Sequence, residues 1–178
     1  MSDDEVGRVY DELLVTLVRS GDRRAGERLC VRWHPRLMRL ARRLLRDEEQ
    51  ARDAVQETWA GIFRGIGRLS DPSKFRAWAF GILRRKCADR IAAESLNRTR
   101  LAPLDEDQSA VSGSALSRTA IDQAMDRLSP DHRLVALLFF GEGLTLAEIA
   151  AAIGVPMGTA KSRLFHARQK LKADLKGD

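Results

Sequence analysis

The chain has 178 residues, of which 44% are hydrophobic and 31% are charged, and this composition supports one or two packed globular domains. Lysine and arginine number 31 against 25 aspartates and glutamates, so the formal net charge is +6. This balance favours polyanionic partners such as nucleic acid. Neither end has a signal pattern and the apolar runs stay below the roughly 18 residues of a membrane span, so we expect a cytoplasmic protein.

Four amphipathic helices are predicted in the first half of the chain. Residues 9–19 form the first, with an apolar stripe of Val9, Leu13, Leu14, Leu17 and Val18. The second carries an apolar stripe of Leu29, Trp33, Leu37, Leu40, Ala41, Leu44 and Leu45. Pro35 is expected to kink or split this second helix. Its arginines either follow a phosphate backbone or form a solvated face, and the pattern alone favours neither.

The third predicted helix, residues 48–66, is preceded by Asp47 and Gln50 at capping-box spacing. Its apolar stripe comprises Ala51, Val55, Trp59 and Ile62. On another face the carboxylates of Glu49, Asp53 and Glu57 recur at i, i+4 steps and repel one another. We call these three residues, with the adjacent Gln56, the acidic ridge. Divalent metal binding is one use of such a ridge, but no companion motif supports it, so docking onto a protein surface is favoured.

The fourth predicted helix begins at Asp71-Pro72, a cap followed by a first-turn proline. Phe75 and Trp78 are expected in the core. Phe80 points elsewhere among basic residues, and aromatics interleaved with arginine can stack unpaired bases of single-stranded DNA. Phe80 and its basic neighbours are therefore the candidates for DNA contact.

An acidic segment separates the two halves of the chain. Residues 97–117 lose the apolar period, contain Pro103 and a Ser-Gly-Ser run, and predict a flexible linker between domains 1–96 and 118–178. Residues 119–128 predict a short helix, and Ser129-Pro130 caps the next. No strand pattern is evident, so the predicted fold is all-α, with two small helical domains.

Residues 145–172 predict a helix-turn-helix. Thr145 and Glu148 have capping-box spacing, Gly154 suits the left-handed end of the first helix, and Pro156 suits the start of the second. The second helix has an apolar stripe of Ala160, Leu164, Ala167, Leu171 and Leu175. Its opposite face, with Thr159, Ser162, Arg163, His166 and Lys170, is either a solvated face or a surface that reads the DNA major groove. The capping box and glycine turn in front of it favour DNA reading.

Two cysteines, Cys30 and Cys87, are isolated from any zinc-type spacing and are expected to be buried small residues. Neither a metal nor a cofactor is expected.

Taken in order, these motifs resemble the extracytoplasmic-function (ECF) group of the sigma-70 transcription initiation factors. The first half carries DEEQARDAVQETW and FRAWAFGILRRKCADR, and the second carries LSPDHR and GLTLAEIAAAIGVPMGTAKSRLFHARQKL. A helix-turn-helix is shared by many regulators, whereas both blocks in this order across an acidic linker are specific to the family.

The resemblance implies a non-enzymatic protein with core RNA polymerase, promoter DNA and an anti-sigma factor as partners. It implies that the acidic ridge contacts the polymerase clamp and that the second domain contacts the -35 duplex. It also implies that the polymerase beta flap is a partner. The implied -10 contacts are Ser70, Asp71, Ser73, Lys74, Arg76, Phe80, Arg84, Arg85 and Lys86. The implied -35 contacts are Thr145, Pro156, Thr159, Lys161, Ser162, Arg163, His166 and Lys170.

Three residues depart from the family pattern. Gly81 and His166 stand where arginine is usual, and Arg85 stands where asparagine is usual, so the base preferences at both promoter elements are open.

Two other functions compete with the sigma-factor assignment. A duplex-only helix-turn-helix regulator would not need the acidic ridge, and a metal nuclease would need a nucleophile or base constellation that the sequence lacks.

Overall fold

A computed structural model describes residues 3–101 and 119–176. Every regular element in these two ranges is helical, as the sequence predicts. The helices are α1 Asp3–Arg19, α2 Arg23–Leu45, α3 Glu48–Gly65, α4 Phe75–Leu101, α5 Ala120–Asp126, α6 Pro130–Ala136, α7 Leu146–Ile153 and α8 Met157–Lys176. Short 3-10 turns at Ile66–Arg68 and Pro72–Lys74 precede α4, and a π-helical turn at Leu137–Gly141 follows α6.

Helix ends follow the local chemistry of the sequence. The Asp47 carboxylate accepts a hydrogen bond from the backbone of Gln50 at the start of α3, and Thr145 and Glu148 form the predicted reciprocal capping box. Gly154 ends α7 in the left-handed region with φ 71°. Pro35 was expected to kink or split α2, but the helix runs through it without a break.

The core of the first domain is built on Trp33. Its ring packs edge-on against Phe75 at 5.0 Å and lies 5.6 Å from Phe80, with leucines of α2 around it. The buried carboxylate of Asp11 accepts a hydrogen bond from the Trp33 indole N–H at 3.1 Å and pairs with Arg32. Because an unpaired indole N–H inside a protein is costly, this bond fixes α1 on α2.

Some residues of the predicted stripes are less buried than expected. Val9 and Leu13 of α1 and Leu175 of α8 are exposed. Trp59 and Trp78 are only partly buried, and the Trp59 ring stacks on Phe63 at 5.6 Å. Cys87 is buried, as predicted, and Cys30 is half-buried. Helix α4 continues to Leu101, beyond the predicted domain end at residue 96, while residues 102–117 of the predicted linker lie outside the described ranges.

Four α-helices form the second part of the chain. Ala160, Leu164, Ala167 and Leu171 of α8 are buried, which confirms four of the five residues of its predicted stripe. Ile149, Ala152 and Ile153 of α7 are also buried, so the apolar side of the helix-turn-helix faces inward.

The two halves pack directly on each other through α4 and α7. Buried residues of both halves belong to one hydrophobic cluster. At Gly81, a side chain would place its Cβ 3.1 Å from the carbonyl oxygen of Ala152, so glycine permits the close approach of the two helices.

Candidate functional site

Helix α8 presents the predicted DNA-reading face to solvent. Lys161, Ser162, His166 and Lys170 are exposed, and Thr159 and Arg163 are half-buried. Thr145 and Pro156, at the starts of the two helices, are exposed as well. The structure thus brings together the residues that the sequence assigned to one duplex-reading surface.

Three of these side chains already have partners within the chain. The Arg163 guanidinium forms an ion pair with Asp131 of α6 at 2.5 Å, and the Lys170 ammonium donates to the carbonyl of Arg127 at 2.6 Å. The ring of His166 lies 5.9 Å from that of His132. Asp131 and His132 therefore border the reading face, and no motif spacing in the sequence indicated either residue.

The acidic ridge is exposed along α3, but its charges are partly compensated. Arg90 of α4 pairs with Glu57 at 2.6 Å and with Asp53 at 3.4 Å, and Lys86 pairs with Glu57 at 2.9 Å. The hydrogen bond from Lys86 is the main cause that lowers the pKa of the Glu57 carboxyl; desolvation opposes it, and the hydrogen bond from Arg90 adds to the lowering. Lys86, assigned to -10 DNA from the sequence, is thus held at the ridge in this conformation.

The loop before α4 is shaped by Asp71. Its carboxylate accepts hydrogen bonds from the hydroxyl of Ser73 at 2.6 Å and from the Ser73 backbone N–H at 3.0 Å. These bonds, together with nearby Lys74, lower the pKa of Asp71. Ser70, Ser73 and Lys74 are exposed beside it, and the Lys74 ammonium pairs with the Asp71 carboxylate at 3.6 Å.

Phe80 and Arg76 do not occupy the positions expected from the sequence. Phe80, predicted to face DNA, is only 1% exposed and packs in the Trp33 core, because α4 is buried on more than one side. Arg76 is 4% exposed, and its guanidinium donates to the backbone carbonyls of Glu142 at 3.0 Å and Gly143 at 3.3 Å. Of the other α4 candidates, Arg85 is exposed and Arg84 is half-buried.

Four of the arginines that the sequence left undecided pair with acids of the second half, whereas Arg42 pairs with Glu48 in the first. Arg36 and Arg39 hold the Glu142 carboxylate, Arg43 pairs with Asp122 at 3.3 Å and Arg46 with Asp126 at 2.5 Å. We call these residues, Arg36, Arg39 and Arg43 of α2 and Arg46 directly after its last residue, the arginine row. Sequence reasoning missed their acidic partners because more than 70 residues separate them from the row.

An apolar groove lies beside α8 on the second domain. It has a volume of about 880 Å³ and is lined by Ile121, Met125, Phe140, Leu164, Phe165 and Leu171, with basic residues Lys161, Arg168 and Lys172 at its edges. Phe140 and Phe165 are more than half exposed. This groove can take an apolar segment that carries acidic flanks.

Two further properties bear on function. Within residues 3–101 and 119–176, no three histidine, cysteine, aspartate or glutamate side chains converge closely enough to hold a metal ion. Across the same ranges, no helix combines the length and the apolar character that a bilayer crossing requires.

Two family models match the chain. Residues 29–96 match Sigma-70 region 2, and residues 124–173 match Sigma-70, region 4. The first match covers α2 to α4 with the acidic ridge, and the second covers the helix-turn-helix and the reading face.

Curated relatives and solved structures agree with these matches. The ECF RNA polymerase sigma factor SigM of Mycobacterium tuberculosis is 34% identical over 90% of this chain and 81% of its own length. The RNA polymerase sigma-H factor of Pseudomonas aeruginosa is 27% identical over 90% of this chain and 91% of its own. Among structures, CnrH in complex with the cytosolic domain of CnrY has a TM-score of 0.69 and 28% identity, covering 95% of this chain and 99% of that one.

Proposed function

The chain belongs to the ECF group of sigma-70 factors, and we propose that it directs core RNA polymerase to promoters that contain both a -10 and a -35 element. It is a sigma factor for transcription initiation. The observation that carries this function is the presence of region 2 and region 4, in that order, on one all-helical chain. Sigma factors are generally not enzymes, and we propose that this chain acts in the cytoplasm, where the polymerase works.

The acidic ridge is the proposed docking surface for the polymerase clamp. Glu49, Asp53, Gln56 and Glu57 are exposed on one side of α3, so a basic partner surface can reach them. Arg90 and Lys86 hold the Glu57 carboxylate in a fixed orientation. The ridge is therefore preorganised, and the partner has only to displace or join the three ion pairs that Arg90 and Lys86 make with it.

The proposed -10 surface is smaller than the set of residues assigned from the sequence. Ser70, Ser73 and Lys74 of the loop and Arg85 of α4 are exposed and can contact a DNA strand directly. Asp71 supports the loop through its two hydrogen bonds to Ser73. Phe80 supports α4 from the core rather than stacking on a base.

For the -35 element, we propose that α8 lies in the major groove. Arg163 is the proposed base reader, because a guanidinium can bond two acceptors on a guanine edge, while Lys161 and Lys170 reach phosphates. His166, where the family has arginine, offers an imidazole ring in place of the five donors of a guanidinium group. The preferred sequence should therefore differ from that of relatives with arginine at this position.

The apolar groove of the second domain is the proposed site for the beta flap of the polymerase. Its lining is apolar and its edges are basic, which suits a short amphipathic segment with acidic residues. The family resemblance adds an anti-sigma factor as the proposed regulator of the chain.

Run-off transcription tests the assignment. Core polymerase is mixed with the chain and a library of promoters randomised at both elements, and the transcribed templates are sequenced. We expect transcripts that depend on the chain and templates enriched at two blocks. Core polymerase alone is the control. Tight duplex binding without chain-dependent transcripts would identify a duplex-only regulator instead.

A further inference from the structure

We propose that two histidines, His132 of α6 and His166 of α8, make binding of the -35 duplex depend on pH. We call these two residues the histidine pair. When the duplex binds, His166 takes up a proton from solvent, and the resulting imidazolium holds DNA more tightly than the neutral ring would. This inference deepens the proposed function, on which it rests for the identity of the duplex, by giving the reading face an affinity that rises as the pH falls.

The histidine pair lies at the border of the reading face. The two ring centroids are 5.9 Å apart, and the ring planes are inclined by 33°. His166 is exposed and His132 is half-buried. The ring of Phe165 stands edge-on to that of His166 at 5.6 Å. Two ring contacts therefore limit where the His166 imidazole can point, while its exposed atoms remain open to DNA.

Most charged groups on the helices around the pair are directed elsewhere. Helices α5, α6 and α7 all pack on α8. Asp122 and Asp126 of α5 pair with the arginine row, and Arg133 of α6 pairs with Asp126 at 3.5 Å. Glu148 of α7 caps its own helix. Arg168 of α8 stands at the edge of the apolar groove. These groups therefore contribute little to the charge beside His166.

The charge that does face His166 in the free chain is positive. Arg163, one turn before His166, pairs with Asp131 of α6 at 2.5 Å, so these two charges largely cancel. The Lys170 ammonium lies one turn after His166 and donates to the backbone carbonyl of Arg127, which is itself exposed at the end of α5. Duplex phosphates reverse the sign of this field. Because an opposite charge favours the cation, bound DNA favours the imidazolium more than the free chain does.

The proton changes what His166 can do at the duplex. A neutral imidazole has one donor and one acceptor, whereas an imidazolium has two donors and a positive charge. Phosphate oxygens and the guanine edge both offer acceptors, so they need donors. The imidazolium thus supplies part of what arginine supplies in the family pattern, and only when it is protonated. Imidazole is the side-chain group that changes charge between about pH 5 and 8, so this part of the affinity varies near neutral pH.

His132 makes the response a property of two residues. Like charges at a ring separation of 5.9 Å repel, so a proton on His132 opposes a proton on His166. An uncharged residue in place of His132 should accordingly let His166 take up its proton at a higher pH. The two rings titrate together, and the pH profile of binding belongs to the pair.

A pH series of duplex binding tests the histidine pair in the full-length chain. Fluorescence anisotropy measures the dissociation constant of the -35 duplex enriched in the run-off selection, from about pH 5.5 to 8. Ionic strength is held constant, because salt weakens phosphate contacts. The variants are His166→Gln, His166→Arg and His132→Gln. His34→Gln is the matched control, because His34 is an exposed histidine of α2 in the first domain and completes the three histidines of the chain.

We expect wild type and His34→Gln to bind about tenfold more tightly at the low end of the series than at the high end, if bound DNA favours the imidazolium by the same factor. In His166→Gln and His166→Arg the affinity should stay within about twofold over the series, because neither side chain changes its charge there. His132→Gln should keep the wild-type response with its midpoint at a higher pH.

A wild-type affinity that is independent of pH, or that changes equally in His166→Gln, would overturn the proposal. An unchanged midpoint in His132→Gln would remove His132 from it. Thermal melts over the same pH series establish that each protein is folded, and His132→Phe, which keeps an aromatic ring on α6, replaces His132→Gln if that variant unfolds.

The proposed function is decided separately by chain-dependent transcripts. Transcripts without pH-dependent binding would overturn the histidine pair alone. If no chain-dependent transcript forms, the proposed function fails, and the same pH series on a duplex selected by binding alone still decides whether DNA binding takes up a proton.

Discussion

At the scale of single residues, Phe80 shows how burial decides between two uses of an aromatic side chain. Since its ring is buried against Trp33, Phe80→Ala should lower the free energy of unfolding by about 3 to 5 kcal/mol through the cavity it leaves. Arg85→Ala is the matched control, because Arg85 is exposed on the same helix and its loss should leave the unfolding free energy within about 0.5 kcal/mol. Urea titration followed by circular dichroism measures both. Equal stability of the two variants would contradict the placement of Phe80 in the core.

Arg163 can be tested at the same scale in duplex binding. Arg163→Ala should weaken binding to the selected -35 duplex by about 1 to 3 kcal/mol and relax the preference at one base pair, if Arg163 reads a base edge. Asp131→Asn releases Arg163 from its ion pair and should leave that preference in place. Fluorescence anisotropy over duplexes with single base changes provides the measurement. Uniform weakening across all duplexes would mean that Arg163 holds phosphate only.

Cys30 and Cys87 should differ in reactivity. Burial raises the pKa of the Cys87 thiol to about 12, and it also raises that of half-buried Cys30. The thiolate is the reactive form, so near pH 8 Cys87 should stay unmodified in the folded chain. Because the folded state favours the neutral Cys87 thiol, the contribution of this thiol to stability is present at neutral pH and is lost as the pH rises from the unfolded pKa of about 8.5 to the folded pKa of about 12. Timed thiol titration should find two reactive thiols only after denaturation. If a thiol of the folded chain reacts rapidly in both wild type and Cys87→Ser, the reactive thiol is Cys30.

At the scale of elements, the acidic ridge joins α3 to α4 as well as facing outward. Asp53→Ala with Glu57→Ala should weaken core-polymerase binding, while the fold loses only the small stabilisation of exposed ion pairs, about 0 to 1 kcal/mol each. Asp89→Ala is a suitable control, because it removes an exposed acid from α4 outside the ridge. Polymerase affinity is measured by titration and folding by thermal melts. Unchanged affinity in the double variant would remove the ridge from the polymerase interface.

Elements with a local cause were predictable from sequence, and contacts between distant elements were not. The capping box of Thr145 and Glu148, the left-handed Gly154 and the buried side of α8 follow from spacings of a few residues, and the structure confirms them. Pro35 does not split α2, because the packing of that helix outweighs the missing hydrogen bond. Phe80 was misassigned because α4 is buried on several sides, where a single-stripe pattern cannot identify the free face. The partners of the arginine row depend on the tertiary arrangement, which no periodicity encodes.

At the scale of the whole molecule, α4 is the structural centre. It packs on α2, α3 and α7, and it carries Arg76 towards the second domain, Arg90 towards the ridge and Arg85 towards solvent. One helix therefore adjoins the proposed polymerase surface, the proposed -10 surface and the inter-domain contact. A displacement of α7 should leave the ridge pairs in place, because Lys86 and Arg90 project from the face of α4 that lies opposite Gly81.

The arginine row should respond unevenly to ionic strength. Arg39 and Arg43 are about half exposed in their ion pairs, so added salt screens their attraction to the second domain. The Glu142 side chain is only 2% exposed, so its pair with Arg36 should be screened less. Raising the potassium concentration should therefore weaken the Arg43 pair before the Arg36 pair. Small-angle scattering over a salt series should show Glu142→Gln expanding at a lower salt concentration than wild type, and equal expansion of the two proteins would contradict this order.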